Sequence, residues 1–83
     1  MKISYSKHAD VLYIVLSATA NHCSYVELPN GIITRIEDDS QQVVGVTIYN
    51  FMRRMEEGER LSIPEIGDDL SGAALLSLYM QAS

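Results

Sequence analysis

The chain has few of the residues on which disulfide frameworks, nucleotide sites and nucleic-acid grooves are built. A single cysteine, Cys23, among 83 residues leaves no intramolecular disulfide framework open to it. Six Lys and Arg stand against eleven Asp and Glu, a formal net charge of −5. A field of that sign repels phosphate backbones, whose neutralisation supplies most non-specific nucleic-acid affinity. The one adjacent basic pair, Arg53-Arg54, is too small for a footprint. Five glycines are scattered and form neither nucleotide-binding fingerprint. The longest apolar stretch, 70–80, is well short of the roughly 20 residues a bilayer span needs, and no basic stretch leading into an apolar signal region stands at the start. These shortages point to a cytoplasmic protein with no membrane and no nucleic-acid partner.

What is present is a run of apolar residues at period two. Segments 2–6, 11–17, 24–28, 31–37 and 43–49 alternate in this way and are separated by short polar breaks, the pattern of an antiparallel meander. Ile3 and Tyr5 share one face of the first strand. Residues 11–16 are apolar on both faces, which predicts a central strand covered twice. Asp10 ends the polar link 6–10 and is read as a turn residue that bonds nearby backbone amides. Pro29-Asn30-Gly31 is the strongest hairpin signal, since Pro presets φ while Asn and Gly accept positive φ. Gly45, inside the last strand, marks a bulge or a close backbone approach.

Two helices follow. Asn50 reads as an N-cap, Phe51, Met52 and Met55 as an apolar stripe, and Gly58 as a stop. The charges of this two-turn helix run against the macrodipole, so docking on the sheet must hold it. Residues 59–67 read as a connector containing Pro64, with Asp68 or Asp69 capping a second helix over 70–81. That helix carries no charge and is apolar on more than one face, the mark of a buried or partnered helix. The fold expected is α+β: a small antiparallel sheet of four to five strands, one short helix and a C-terminal apolar helix. Segment 1–58 holds the sheet and short helix, and 59–83 is an extension within the same single domain.

A domain of this length buries only about 60% of the surface its unfolded chain exposes. Its core is thin, and self-association offers further burial. The helix residues Leu70, Ala74, Leu75, Leu78 and Tyr79 are assigned to a subunit interface, which makes a homo-oligomer, in the simplest case a homodimer, the expected state.

The opening Met1-Lys2-Ile3-Ser4-Tyr5, the run Ala9-Asp10-Val11-Leu12-Tyr13-Ile14, then Gly31-Ile32-Ile33 and Val43-Val44-Gly45-Val46 resemble the small prokaryotic domain-of-unknown-function family 2283 over the first fifty-odd residues. The resemblance implies a compact antiparallel sheet with a helix in a bacterial cytosolic protein, without an established activity. Similar proteins are discussed as candidate partners of small toxins, an associational hint. The chain departs from the family at three places. Arg35 and Thr47 stand where many members carry acidic residues, and Ser40-Gln41-Gln42 replaces a turn with Gly. Any function resting on acidic side chains there is lost in this member.

No constellation for chemistry stands out. His8, Asp10, His22 and Cys23 are ligand types, but no Cys-x-x-Cys or His-x-x-x-His spacing occurs. Cys23 as a nucleophile needs a base and an orienting group that the sequence does not place beside it. The acidic pairs and runs at 37–39, 56–57 and 68–69 have plain readings as a turn, a helix surface and a helix start. No catalytic residue, metal or cofactor is therefore expected. The five tyrosines, Tyr5, Tyr13, Tyr25, Tyr49 and Tyr79, suit core and interface packing better than a stacking platform, which needs a basic groove. The function expected is a self-associating protein-interaction module, with an antitoxin-like role toward a small toxin as its narrower form. The alternative is a small-ligand binder or minor enzyme with a pocket between the sheet and the C-terminal helix. There Tyr13, Tyr25 or Tyr49 would line the cavity and His8 or Cys23 would supply a polar group. A convergence of Arg35, Arg53, Arg54 and Arg60 on nucleic acid is the third possibility.

Overall fold

The computed structural model of the chain describes residues 1–18 and 22–82. The period-two segments form strands β1 (Lys2–Ser6), β2 (Val11–Val15), β3 (Cys23–Glu27), β4 (Ile33–Glu37) and β5 (Val43–Tyr49). All pair antiparallel in one sheet of order β1-β2-β5-β4-β3. The fold is α+β, as the patterning predicts, but the order is not that of a simple meander. After the β1–β2 hairpin the chain passes to the far edge and returns as β3-β4-β5, so that β5 docks on β2. The break between the second and third period-two segments, which reads as a loop over 18–23, falls partly outside the described residues, at 19–21.

Register explains the core. Ile3 lies opposite Ile14, Tyr5 opposite Leu12, and Leu12 and Ile14 opposite Ile48 and Val46. These residues point to one face, where they join Ile32, Phe51, Leu61, Ile63 and Leu75 in a single buried cluster. Residues of segment 59–83 thus complete the core of the sheet. The other face is not covered in the same way: Tyr13, midway along β2, is 41% exposed. The strand expected to be central and covered twice is therefore second in the sheet, and β5, buried along most of its length, is the middle one.

Helix α1 (Phe51–Glu56) follows β5. Asn50 takes a left-handed conformation there and its side chain does not cap the helix. Phe51 is buried against the edge of the Tyr5 ring, with centroids 5.9 Å apart. Met52 is 45% exposed and so stands outside the predicted apolar stripe. Gly58, at φ 72°, ends the helix as expected, its N–H donating to the Met55 carbonyl. Arg54 ties this corner together. Its Nε donates to the Tyr49 carbonyl at 2.9 Å, and its Nη1 donates to the Asn30 carbonyl at 2.9 Å and to Glu59 Oε1 at 2.7 Å.

The stretch 59–67, expected as a plain connector, instead begins a second sheet of β6 (Leu61–Ile63) and β7 (Gly67–Leu70). Alternation turns Leu61 and Ile63 into the core while Ser62 stays exposed. Asp68 and Asp69 lie in β7 and cap nothing. The cap of α2 (Gly72–Ala82) is Ser71, whose Oγ accepts from the Ala74 N–H at 3.2 Å. Leu70 is therefore a strand residue, not a helix residue. No helix among the described residues is long and apolar enough to cross a membrane.

Candidate functional site

The segment Ser6–Asp10 closes the β1–β2 hairpin, and its last residue, at φ 55°, directs a carboxylate at the start of α1. The Met52 N–H donates to Asp10 Oδ1 at 2.8 Å and the Arg53 N–H lies 3.5 Å from Oδ2. The Phe51 N–H donates to the Asp10 carbonyl at 3.1 Å. Asp10 does bond backbone amides, but those of a helix forty residues on, whose own preceding residue does not cap it. A carboxylate at a helix N-terminus satisfies orphan donors and complements the dipole. The Tyr5 hydroxyl completes the group by donating to Asp10 Oδ1 at 2.6 Å. That hydrogen bond and the backbone donors hold the Asp10 carboxyl below its ordinary pKa. Tyr5 is pushed up to about 12, chiefly because its proton is held by Asp10 and also through burial and neighbouring negative charge. The arrangement orders a helix; the proton it holds is withdrawn from chemistry near neutral pH.

A different arrangement occupies the open face of the sheet. The register that sends Leu12, Ile14, Val46 and Thr34 to the core sends Tyr13, Val15, Thr47, Gly45, Arg35 and Tyr25 to the other side. Gly45 sits beside a register shift at Arg35/Ile36, the irregularity its place in the strand predicts, and Arg35 packs over it at ordinary van der Waals distance. A Cβ built there would stand 3.5 Å from Arg35 Nε and 3.6 Å from Arg35 Cβ. The arginine crosses the middle strand over this glycine, and its Nη2 reaches the Ser17 carbonyl at 3.5 Å. Around it runs a groove of about 210 Å³, lined by the side chains of Tyr13, Val15, Tyr25, Arg35 and Thr47.

A second depression, of about 370 Å³, lies between the β3–β4 loop and the β6–β7 hairpin and is lined by Leu28, Pro29, Asn30, Ser62, Pro64 and Asp68. Only Asp68 there is ionisable. The pocket expected between the sheet and α2 is filled by core side chains, Leu75 among them. Tyr13 and Tyr25 line a cavity on the opposite face instead, and Tyr49 shares that face outside the groove, because period two turns all three away from the core. His8 is exposed in the hairpin turn and Cys23 half-buried at the start of β3; neither lines the groove.

The arginines do not converge. Arg53 pairs with Glu57 at 3.5 Å, Arg54 with Glu59 at 2.7 Å and Arg60 with Asp69 at 2.8 Å, while Arg35 lies on the open face. The acidic run at 37–39 serves its turn: Glu37 accepts from Ser40 and Asp38 from Ser24. Among the described residues no three His, Cys, Asp or Glu side chains come together to hold a metal ion.

Of the residues assigned to an interface, Leu75 is 1% exposed in the chain's own core, and Leu70, Leu78 and Tyr79 pack against that core. Ala74 is half-buried. The exposed residues of α2 are Ala73, Leu76, Ser77, Met80 and Gln81, with Leu76 52% and Met80 69% exposed.

No curated protein and no solved structure matches the chain. A family model described as "Protein of unknown function (DUF2283)" matches residues 2–51, the stretch that holds all five strands of the main sheet with Tyr5 and Asp10, and leaves α1 after Phe51, β6, β7 and α2 outside it. The chain belongs to that family.

Proposed function

We propose that this chain is a non-catalytic protein-interaction module that self-associates as a homodimer through the solvent side of α2. The observation that carries this reading is an exposed helix without charge. After Leu75, Leu78 and Tyr79 turn inward, Ala73, Leu76 and Met80 remain outside at helical spacing, flanked by the uncharged Ser77 and Gln81, and no charged residue occurs from Leu70 onward. Each copy carries a net charge of −5, so two copies repel least where neither bears charge, and an isologous pairing of one apolar stripe with itself meets that condition. The α2 surface is about 16 Å long, far less than a standard interface of roughly 800 Å² per partner requires. The dimer is accordingly weak, in the class of transient contacts below standard interface size.

Sedimentation equilibrium over a concentration series tests it. The wild type shifts toward dimer as concentration rises, and Leu76→Glu stays monomeric with an unchanged far-UV spectrum. A wild type that remains monomeric at millimolar concentration, or a Leu76→Glu variant that dimerises equally, overturns the reading. The acidic surface also favours a basic protein as hetero-partner, the antitoxin-like form of the same function. Complementary potentials of that kind give binding that falls steeply with salt, whereas binding through α2 is salt-insensitive.

A further inference from the structure

We infer that the groove over Gly45 is a binding site for a small aromatic carboxylate, with Arg35 as the residue that reads its charge. The site lies on the face opposite α2 and does not depend on the dimer. Three of the four arginines, Arg53, Arg54 and Arg60, are neutralised by a carboxylate. Among the described residues Arg35 forms no ion pair; its guanidinium has one long hydrogen bond, to the Ser17 carbonyl, and its buried Nε has no acceptor. A guanidinium held among tyrosine rings and apolar side chains is a strong attractor of a single negative charge, because the surroundings screen it less than water does.

The chemistry of the walls selects the ligand. A planar fork of N–H donors matches a carboxylate better than a point charge does. Tyr13 and Tyr25, 41% and 71% exposed, offer ring surface beside it for a flat aromatic body. The volume of about 210 Å³ is below the roughly 300–1,000 Å³ of drug-sized sites, so the ligand is of fragment size. A polyanion is disfavoured by the net charge of −5. A second copy packed on this face would bring two such guanidinium groups together at the middle strand, which like charges oppose.

Benzoate titrated into 15N-labelled protein, followed by amide chemical shifts, is the test. Saturable shifts at Tyr13, Gly45 and Thr47 are expected. Benzamide, of the same shape without charge, and acetate, with the charge but no ring, bind at least tenfold more weakly. Arg35→Gln also weakens benzoate at least tenfold, and Arg35→Lys several-fold, with both spectra otherwise retaining the wild-type fold. Leu76→Glu binds benzoate as the wild type does, which keeps this site separate from the dimer. Equal binding of benzamide or acetate, unimpaired binding by Arg35→Gln, shifts confined to other residues, or absence of saturation up to tens of millimolar overturns the inference. So does a concentration-dependent shift of the same amides without benzoate, which would mean that a second copy covers this face.

Discussion

Adjacent leucines on α2 are expected to behave in opposite ways when truncated. Leu75 is 1% exposed within the core cluster and Leu76 is 52% exposed. Leu75→Ala removes buried methyl groups and leaves a cavity, a change that costs about 3 kcal/mol within the usual range of ~2–5. Domains have about 0.05–0.15 kcal/mol of stability per residue, so one of 83 residues holds roughly 4–12 kcal/mol. The loss is therefore a quarter or more of the total. With an unfolding entropy near 2.1 cal/mol/K per residue, about 3 kcal/mol lowers Tm by about 17 °C. Leu76→Ala stays within about 0.5 kcal/mol. Thermal and urea unfolding by circular dichroism at low micromolar concentration, where the weak dimer is dissociated, measures both. A Leu75→Ala variant as stable as the wild type, or a Leu76→Ala variant equally damaged, would refute the docking of α2 on its own sheet.

The Asp10 cap gives a pH dependence of known sign. Its folded-state pKa is lowered, so its contribution is complete above the ordinary Asp value of about 3.9 and is lost as pH falls through the folded value. Asp10→Asn is expected to be less stable at neutral pH and to show a flatter acid-unfolding profile below about pH 4, measured by circular dichroism. Tyr5 works in the other direction. With its pKa raised to about 12, its contribution is present below about pH 10 and lost as pH rises through the folded value. Ultraviolet titration of the tyrosinates should show a late step that is absent from Tyr5→Phe. Gly31 and Gly58 form a matched pair at φ 83° and 72°; an added Cβ meets Arg54 Nη2 at 2.8 Å at Gly31 and nothing within 4 Å at Gly58. Gly31→Ala should cost about 2 kcal/mol and Gly58→Ala about 1 kcal/mol in urea unfolding.

The strands were legible because alternation is local: Ile3 and Tyr5, or Leu12 and Ile14, declare a buried face without reference to the rest of the chain. Their order was not, because the pairing of β2 with β5 joins segments thirty residues apart. Helix caps failed for a similar reason. Asn50 has the right side chain in the wrong backbone conformation, and the carboxylate that replaces it comes from Asp10. Ser71 was present in the sequence but masked by Asp68 and Asp69, which lie in a hairpin of three- and four-residue strands too short to announce itself around Pro64. At the open face Gly45 signalled the irregularity of its strand, and the side chain that lies over it, Arg35, was visible only once β4 and β5 were in register.

Intermolecular methyl contacts in a mixture of isotopically labelled and unlabelled protein, at concentrations near 1 mM, test the self-association most directly. The account predicts contacts from Leu76 and Met80 of one copy to the same residues of another. Intermolecular contacts confined to Val15, Ile33 and the open sheet face, or none at all, would contradict it.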